Sequence, residues 1–215
     1  MKSILVIGLG HFGRHIINKL NELGTQIMAV DILEENVSAI ADKVDSAQIG
    51  NTTNEEFLRS LGVGNFDAAI VTISEDFQSS LETVSLLKEL GAKHVVARAS
   101  SSIQEKFLLR NGADEVVYPE KQLAAWTVIR CTSDYVFDYI DLGGDHAIYE
   151  VSVPVKWYGK SVKELDVRRQ YGFNLLGVRK NHVLNVNVRP DTVMEQDSTV
   201  LVLGDAKTIS KYFSL

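Results

Sequence analysis

The sequence predicts an α/β protein in which a doubly wound parallel sheet is followed by a small α+β domain, and three observations carry that reading. Six short β-rich runs recur through residues 1–118, with helical stretches between most of them. Each such gap is long enough for a crossover that returns to the same side of a parallel sheet. The first run ends in a glycine turn, Gly8-Leu9-Gly10-His11-Phe12-Gly13, which opens into an amphipathic helix, and the second run ends in Asp31. Strand, glycine turn, helix and distal acid together form the fingerprint of a Rossmann-like nucleotide site.

Taken in order, residues 4–7 form the first strand, and Gly8 permits the tight turn out of it. Gly10 lets a diphosphate approach the backbone with no Cβ in the way, and Gly13 lets the helix pack close to the strand. The helix begins near Phe12 and presents Ile16, Ile17, Leu20 and Leu23 on one face. Its first turn aims unpaired N–H groups and a positive dipole end at the phosphates. Residues 26–30 are the second strand. Asp31 at its end can accept hydrogen bonds from ribose hydroxyls, and its charge disfavours a 2′-phosphate. Further strands are expected at 46–49, 68–72, 94–98 and 115–118, with Gly24, Gly91 and Gly112 where helices should end. Residues 90–96 and 111–117 echo one another as helix ends feeding strands, the mark of a regular α/β layer.

Ligands of such sheets sit beyond the carboxyl ends of the strands, where the strand order reverses. Those ends supply the remaining candidates: Ile32, Asn51, Thr52, Thr72, Arg98 and Glu120. Asn51 either pairs its amide with a purine edge or caps the helix that follows. Arg98 either reaches a terminal phosphate or makes a surface salt bridge. Glu120, beside Pro119 at a helix start, is either a favoured helix-end charge or a metal or interface ligand.

From residue 119 to about 139 the pattern reads as helical, with Ala125, Val128, Ile129, Thr132, Tyr135, Val136 and Tyr139 along one face. So long an amphipathic stretch after the last strand points to packing on another subunit or a bridge to the next domain. The domains expected are 1–118, a crossover and linker over 119–143 with its boundary at the turn 141–145, and 144–215. The last contains alternation over 147–155, a helix at 161–170, strands near 174–179, 183–188 and 199–203, and a closing helix at 205–213. At about 70 residues it is small enough that dimerisation is expected.

Composition bounds the function. The 215 residues are 45% hydrophobic and 23% charged, with a net charge of −6 and no basic stripe, which argues against a phosphate-gripping nucleic-acid binder. The single cysteine, Cys131, excludes an internal disulfide and is expected to be a buried thiol beside Val128 and Ile129. No apolar run is long enough to insert in a membrane, so a cytoplasmic protein that reaches membranes only through a partner is expected.

Several motifs in a fixed order resemble the cytosolic regulator-of-potassium-conductance family, in particular the Ktr/Trk-type regulators of bacterial potassium uptake. They are Ile7-Gly8-Leu9-Gly10-His11-Phe12-Gly13, Ala29-Val30-Asp31, Leu87-Lys88-Glu89-Leu90-Gly91, Gly112-Ala113-Asp114 with Tyr118-Pro119-Glu120-Lys121, Tyr139-Ile140-Asp141-Leu142, and Leu165-Asp166-Val167-Arg168. The resemblance implies a nucleotide-binding domain, a crossover helix that builds dimers, and a second dimerising domain. It further implies an octameric ring docked on the cytoplasmic face of a membrane potassium-translocating subunit, gated by ATP and ADP or by NAD(H).

Residue by residue, Gly8, Gly10 and Gly13 match the phosphate turn, Asp31 the ribose acid and Asn51 the adenine side. Arg98 resembles a basic residue that reaches phosphate. Glu120 resembles an interfacial carboxylate linked to a divalent cation, magnesium or calcium, or to the neighbouring subunit. His11 stands where Ktr-type members often carry arginine, and a neutral imidazole is a poorer partner for a terminal phosphate. Val162, Asp166, Arg168, Asn174 and Leu175 match a patch that binds cyclic di-AMP in some relatives; a helix terminus and dimer core is the other reading of them. A non-enzymatic gating subunit is expected. An NAD-dependent oxidoreductase is the alternative, although hydride transfer needs a placed acid or base and the second domain offers His182 on a short polar hairpin with no evident partner.

Overall fold

A computed structural model describes residues 1–213, with Ala125 as backbone only; the last two residues of the expected C-terminal domain lie outside the described residues. The chain divides into two compact units, Met1–Glu120 and Lys121–Leu215.

The first unit alternates β1 (Ser3–Ile7), α1 (His11–Glu22), β2 (Gln26–Asp31), α2 (Glu34–Ser38), β3 (Ser46–Ile49), α3 (Glu55–Ser60), β4 (Ala68–Val71), α4 (Phe77–Glu89), β5 (Val95–Arg98), α5 (Ser102–Arg110) and β6 (Glu115–Val117), and ends as α6 (Pro119–Thr132) begins. Its six strands are parallel and lie in the order β3-β2-β1-β4-β5-β6. Alternate residues of β1 serve opposite faces, as the two-residue period of a strand requires. Leu5 and Ile7 pack with Leu58 of α3, Val84 and Leu87 of α4 and Leu108 of α5, whereas Ile4 and Val6 pack with Ile17 of α1 and Val37 of α2. Side-chain caps start the helices on one face: Asn54 accepts from the Phe57 amide, Asp76 from Ser79 and Ser101 from Gln104. The order reverses between β1 and β4, which opens a crevice at their carboxyl ends.

The second unit contains β7 (Val136–Gly143), β8 (His146–Ser152), α7 (Val162–Leu165), α8 (Val167–Tyr171), β9 (Asn174–Lys180), β10 (Val183–Asn185), β11 (Ser198–Asp205) and α9 (Ala206–Phe213). The antiparallel sheet runs β10-β9-β11-β8-β7. Its inner face places Tyr149, Val151, Val200 and Val202 against Trp157, Phe173 and Ile209. On the other face the buried Glu150 carboxylate accepts Arg179 Nε at 2.8 Å and Nη2 at 3.1 Å, as well as the Thr199 hydroxyl.

The chain departs from the expected pattern at several points. The crossover helix stops at Thr132, and residues 136–143, including Val136 and Tyr139, are a strand. Val136 is buried beside exposed Phe137 and Asp138, and the ladder to β8 satisfies backbone groups that a lone helix end would leave open. The segment 141–145 is accordingly the tip of a β-hairpin, with positive φ at Gly143, Gly144 and Asp145, and not an inter-domain linker. Cys131 is exposed, because it lies on the outward face of α6 while Ile129 packs on the core. The helix expected at 161–170 breaks at Asp166 (φ +38°), and the strand expected at 183–188 ends at Asn185. No helix of the described residues is long and apolar enough to cross a membrane.

Candidate functional site

Each glycine of the first turn has its own steric reason. Gly8 leaves β1 at φ +89°, donates its N–H to Val30 O at 2.9 Å, and would place a Cβ 2.9 Å from the Ile73 nitrogen. A Cβ on Gly13 would lie 2.1 Å from Gly8 O, so only glycine lets α1 seat this close to the turn. Gly10 has an ordinary φ of −63° and nothing within 4 Å of where its Cβ would be, and it borders the open crevice. Gly8 and Gly13 are therefore needed by the fold, whereas the fold itself sets no requirement for glycine at position 10. Gly10 is the N-cap of α1 without a side-chain cap, and no acidic residue stands in the first turn. The helix thus presents unpaired amides and an uncompensated positive dipole end to an anion.

Asp31 is buried at the end of β2. Its Oδ2 accepts the Leu9 amide at 2.6 Å and its Oδ1 accepts the Leu33 amide at 2.9 Å. The carboxylate therefore pins the glycine turn to the loop after β2, and each oxygen keeps a lone pair for a ribose hydroxyl. Thr72, just past β4, directs its hydroxyl to the carbonyls of Ile7 and Gly8 and holds the other wall of the crevice to the same turn. Thr52 is buried with its hydroxyl 2.8 Å from that of Thr83. Asn51 turns its Oδ1 onto the Thr53 amide (3.0 Å) and hydroxyl (2.9 Å), and the helix that follows is capped by Asn54 instead.

Eight of the expected residues, Gly8, Gly10, His11, Asp31, Ile32, Asn51, Thr52 and Thr72, line one crevice of about 530 Å³. Arg14, Leu33, Glu35, Asn36, Glu75 and Asp76 join them. Arg14 is one helical turn past Gly10, Leu33, Glu35 and Asn36 lie two to five residues after Asp31, and Glu75 and Asp76 follow β4 at its carboxyl end, where ligands of such sheets are expected. Asp76 accepts the Ser79 hydroxyl and amide, and those bonds hold its carboxyl below the usual range.

Phe12, Gly13, Arg98 and Glu120 do not line the crevice. The Arg98 guanidinium sits 5.5 Å from the centre of the Phe12 ring and pairs with the Glu120 carboxylate. The Glu120 carboxyl is held low by its own backbone N–H at the start of α6 and, against some burial, by Arg98. No group of three His, Cys, Asp or Glu side chains suited to a metal converges among the described residues, and the partner Glu120 makes is a guanidinium.

In the second unit, Val162, Asp166, Arg168, Asn174 and Leu175 come together in a shallow cavity of about 520 Å³, joined by Lys163, Val167, Val188, Arg189 and Pro190. The break at Asp166 turns α7 and α8 toward the start of β9 and so assembles this wall. His182 lies exposed in the β9–β10 turn.

Comparison with known proteins agrees with both units. Residues 4–119 match the TrkA-N domain family and residues 147–215 the TrkA-C domain family. The chain is 35% identical to Ktr system potassium uptake protein C of Bacillus subtilis over 98% of its own length and 96% of that protein's. It is 34% identical to Ktr system potassium uptake protein A of the same organism and 30% identical to the A protein of Vibrio alginolyticus, again over nearly full lengths. Among solved structures, the GsuK channel superposes on 99% of this chain and 39% of its own with a TM-score of 0.74 at 21% identity, and the GsuK channel bound to NAD does so with a TM-score of 0.69. Both likenesses show the fold. With two domain matches in series and end-to-end identity above 30%, the chain belongs to the TrkA-type, regulator-of-potassium-conductance family, among the Ktr potassium uptake proteins.

Proposed function

We propose that this chain is the cytosolic nucleotide-sensing gating subunit of a bacterial potassium uptake system. The observation that carries the reading is the open crevice at the β1/β4 switch point, with bare amides at one side and Asp31 at the other, in a chain that aligns end to end with Ktr uptake proteins. ATP, ADP and NAD(H) share the adenosine diphosphate portion such a crevice fits. Asp31 would take the ribose hydroxyls, the Gly8–Gly13 turn the phosphates, and the Ile32–Asn51 side the base. A ligand gates only by binding one conformation of the assembly more tightly than another, since equal affinity shifts nothing.

The partner is a membrane potassium-translocating subunit, on whose cytoplasmic face dimers of this chain assemble into an octameric ring. The first unit holds the nucleotide, α6 (Pro119–Thr132) builds the dimer, and the antiparallel-sheet unit dimerises again and holds cyclic di-AMP at the cavity around Asp166 and Arg168. Glu120 would meet a divalent cation or a neighbouring subunit only on release from Arg98.

Potassium-limited growth of an uptake-deficient bacterium carrying a Ktr-type membrane subunit tests the gating role. Co-expression of this chain should restore growth, and calorimetry with ATP, ADP and NADH should show saturable binding with no turnover. Steady consumption of NADH with a small carbonyl substrate would mean an oxidoreductase instead, and a light-scattering mass equal to a monomer would rule out the ring.

A further inference from the structure

We propose that His11 makes nucleotide binding proton-linked: a protonated imidazole grips the diphosphate, so binding takes up a proton and weakens as pH rises. This rests on the nucleotide reading of the crevice given above.

His11 is the first residue of α1, exposed, and it lines the crevice beside Gly8 and Gly10. A diphosphate seated on the turn amides would lie against its ring. The other charges that face this space are unfavourable to such a ligand. Asp31 from β2, Glu35 from α2, and Glu75 and Asp76 from the loop before α4 line the crevice, and Arg14 of α1 is the guanidinium set against those four carboxylates. Two of the four have structural duties: Asp31 holds the Leu9 and Leu33 amides, and Asp76 caps α4.

A dianion entering an acidic crevice needs a compensating positive charge, and imidazole is the side chain in that lining whose class changes charge within the physiological range. The diphosphate favours the charged ring over the neutral one, so nucleotide and proton promote each other's binding. Affinity is then highest where imidazole is protonated and falls as the pH rises. His15, one turn farther along α1, is exposed and does not line the crevice.

Calorimetry of the full chain with NAD, whose diphosphate diester keeps its charge near neutrality, is the direct test, run in buffers of different ionisation enthalpy. Affinity should fall about tenfold between about pH 6 and pH 8, with net proton uptake. The His11→Gln variant should bind weakly and without pH dependence, His11→Arg should bind without pH dependence and hold its affinity at the alkaline end, and His15→Gln should behave like the parent. ADP is titrated alongside, and because its own phosphate ionises, the difference between parent and His11→Gln is the quantity read. Binding that is flat with pH in the parent, or equally pH-dependent in His11→Gln, overturns the role of His11 and leaves the crevice standing. No binding of either nucleotide at any pH overturns the nucleotide reading, and this inference with it.

Discussion

At the scale of single residues, the glycines separate fold from function. Gly13→Ala drives a Cβ into the Gly8 carbonyl at 2.1 Å and should cost about 1–3 kcal/mol or more, read as a lower melting temperature of the first unit. Gly10→Ala meets no atom, needs no unusual φ, and should change stability by less than about 1 kcal/mol while weakening ADP and NAD together. Equal melting losses for the two would contradict this division. Asp31→Ala should cost stability, because it leaves the buried Leu9 amide without its acceptor at about 1–3 kcal/mol. It should also weaken every ribose-bearing ligand at least about tenfold. Asp31→Asn keeps one acceptor oxygen and separates the two effects: calorimetry should show lost affinity with much of the stability regained.

At the scale of elements, α4 starts at Asp76, whose carboxylate takes the Ser79 hydroxyl and amide. Those bonds hold its acid constant below the ordinary value of 3.8. A depressed carboxyl contributes stability above the unfolded value and loses it as pH falls through the folded one. Melting temperatures of the parent and Asp76→Ala should therefore differ most at neutral pH, and the gap should narrow below about pH 4 to that of a neutral cap. A gap that stays constant into strong acid would place the effect elsewhere. The same scale shows where pattern reading reached its limit. Residues 136–143 carry apolar side chains at spacings that fit a helix face or a strand, and only the ladder with β8 selects the strand. By contrast, β1 and α1 were legible because a glycine turn separates a short, continuous apolar run from an amphipathic segment of helical period.

At the scale of the molecule, the two units have separate cores, one around Leu5, Val71 and Leu87 and one around Val151, Trp157 and Val202. Calorimetric unfolding should resolve a transition for each. Saturating ADP, at about a hundred times its dissociation constant, should stabilise the first unit by about 2.7 kcal/mol and leave the second unmoved. A shift confined to the second transition would move the nucleotide site out of the crevice.

The glycine turn, Asp31 and the alternation of the first unit were determined by the sequence itself, since each depends on spacing within a few residues or on the period of one element. The tertiary structure decided what distant elements do to one another. It paired Arg98 of β5 with Glu120 of α6, set both outside the crevice lining, and gathered Asp166, Asn174 and Arg189 around one cavity. Pairings of that kind depend on which strand lies beside which and where a chain reverses. Such choices come from the packing of whole faces, and no local run of residues contains them.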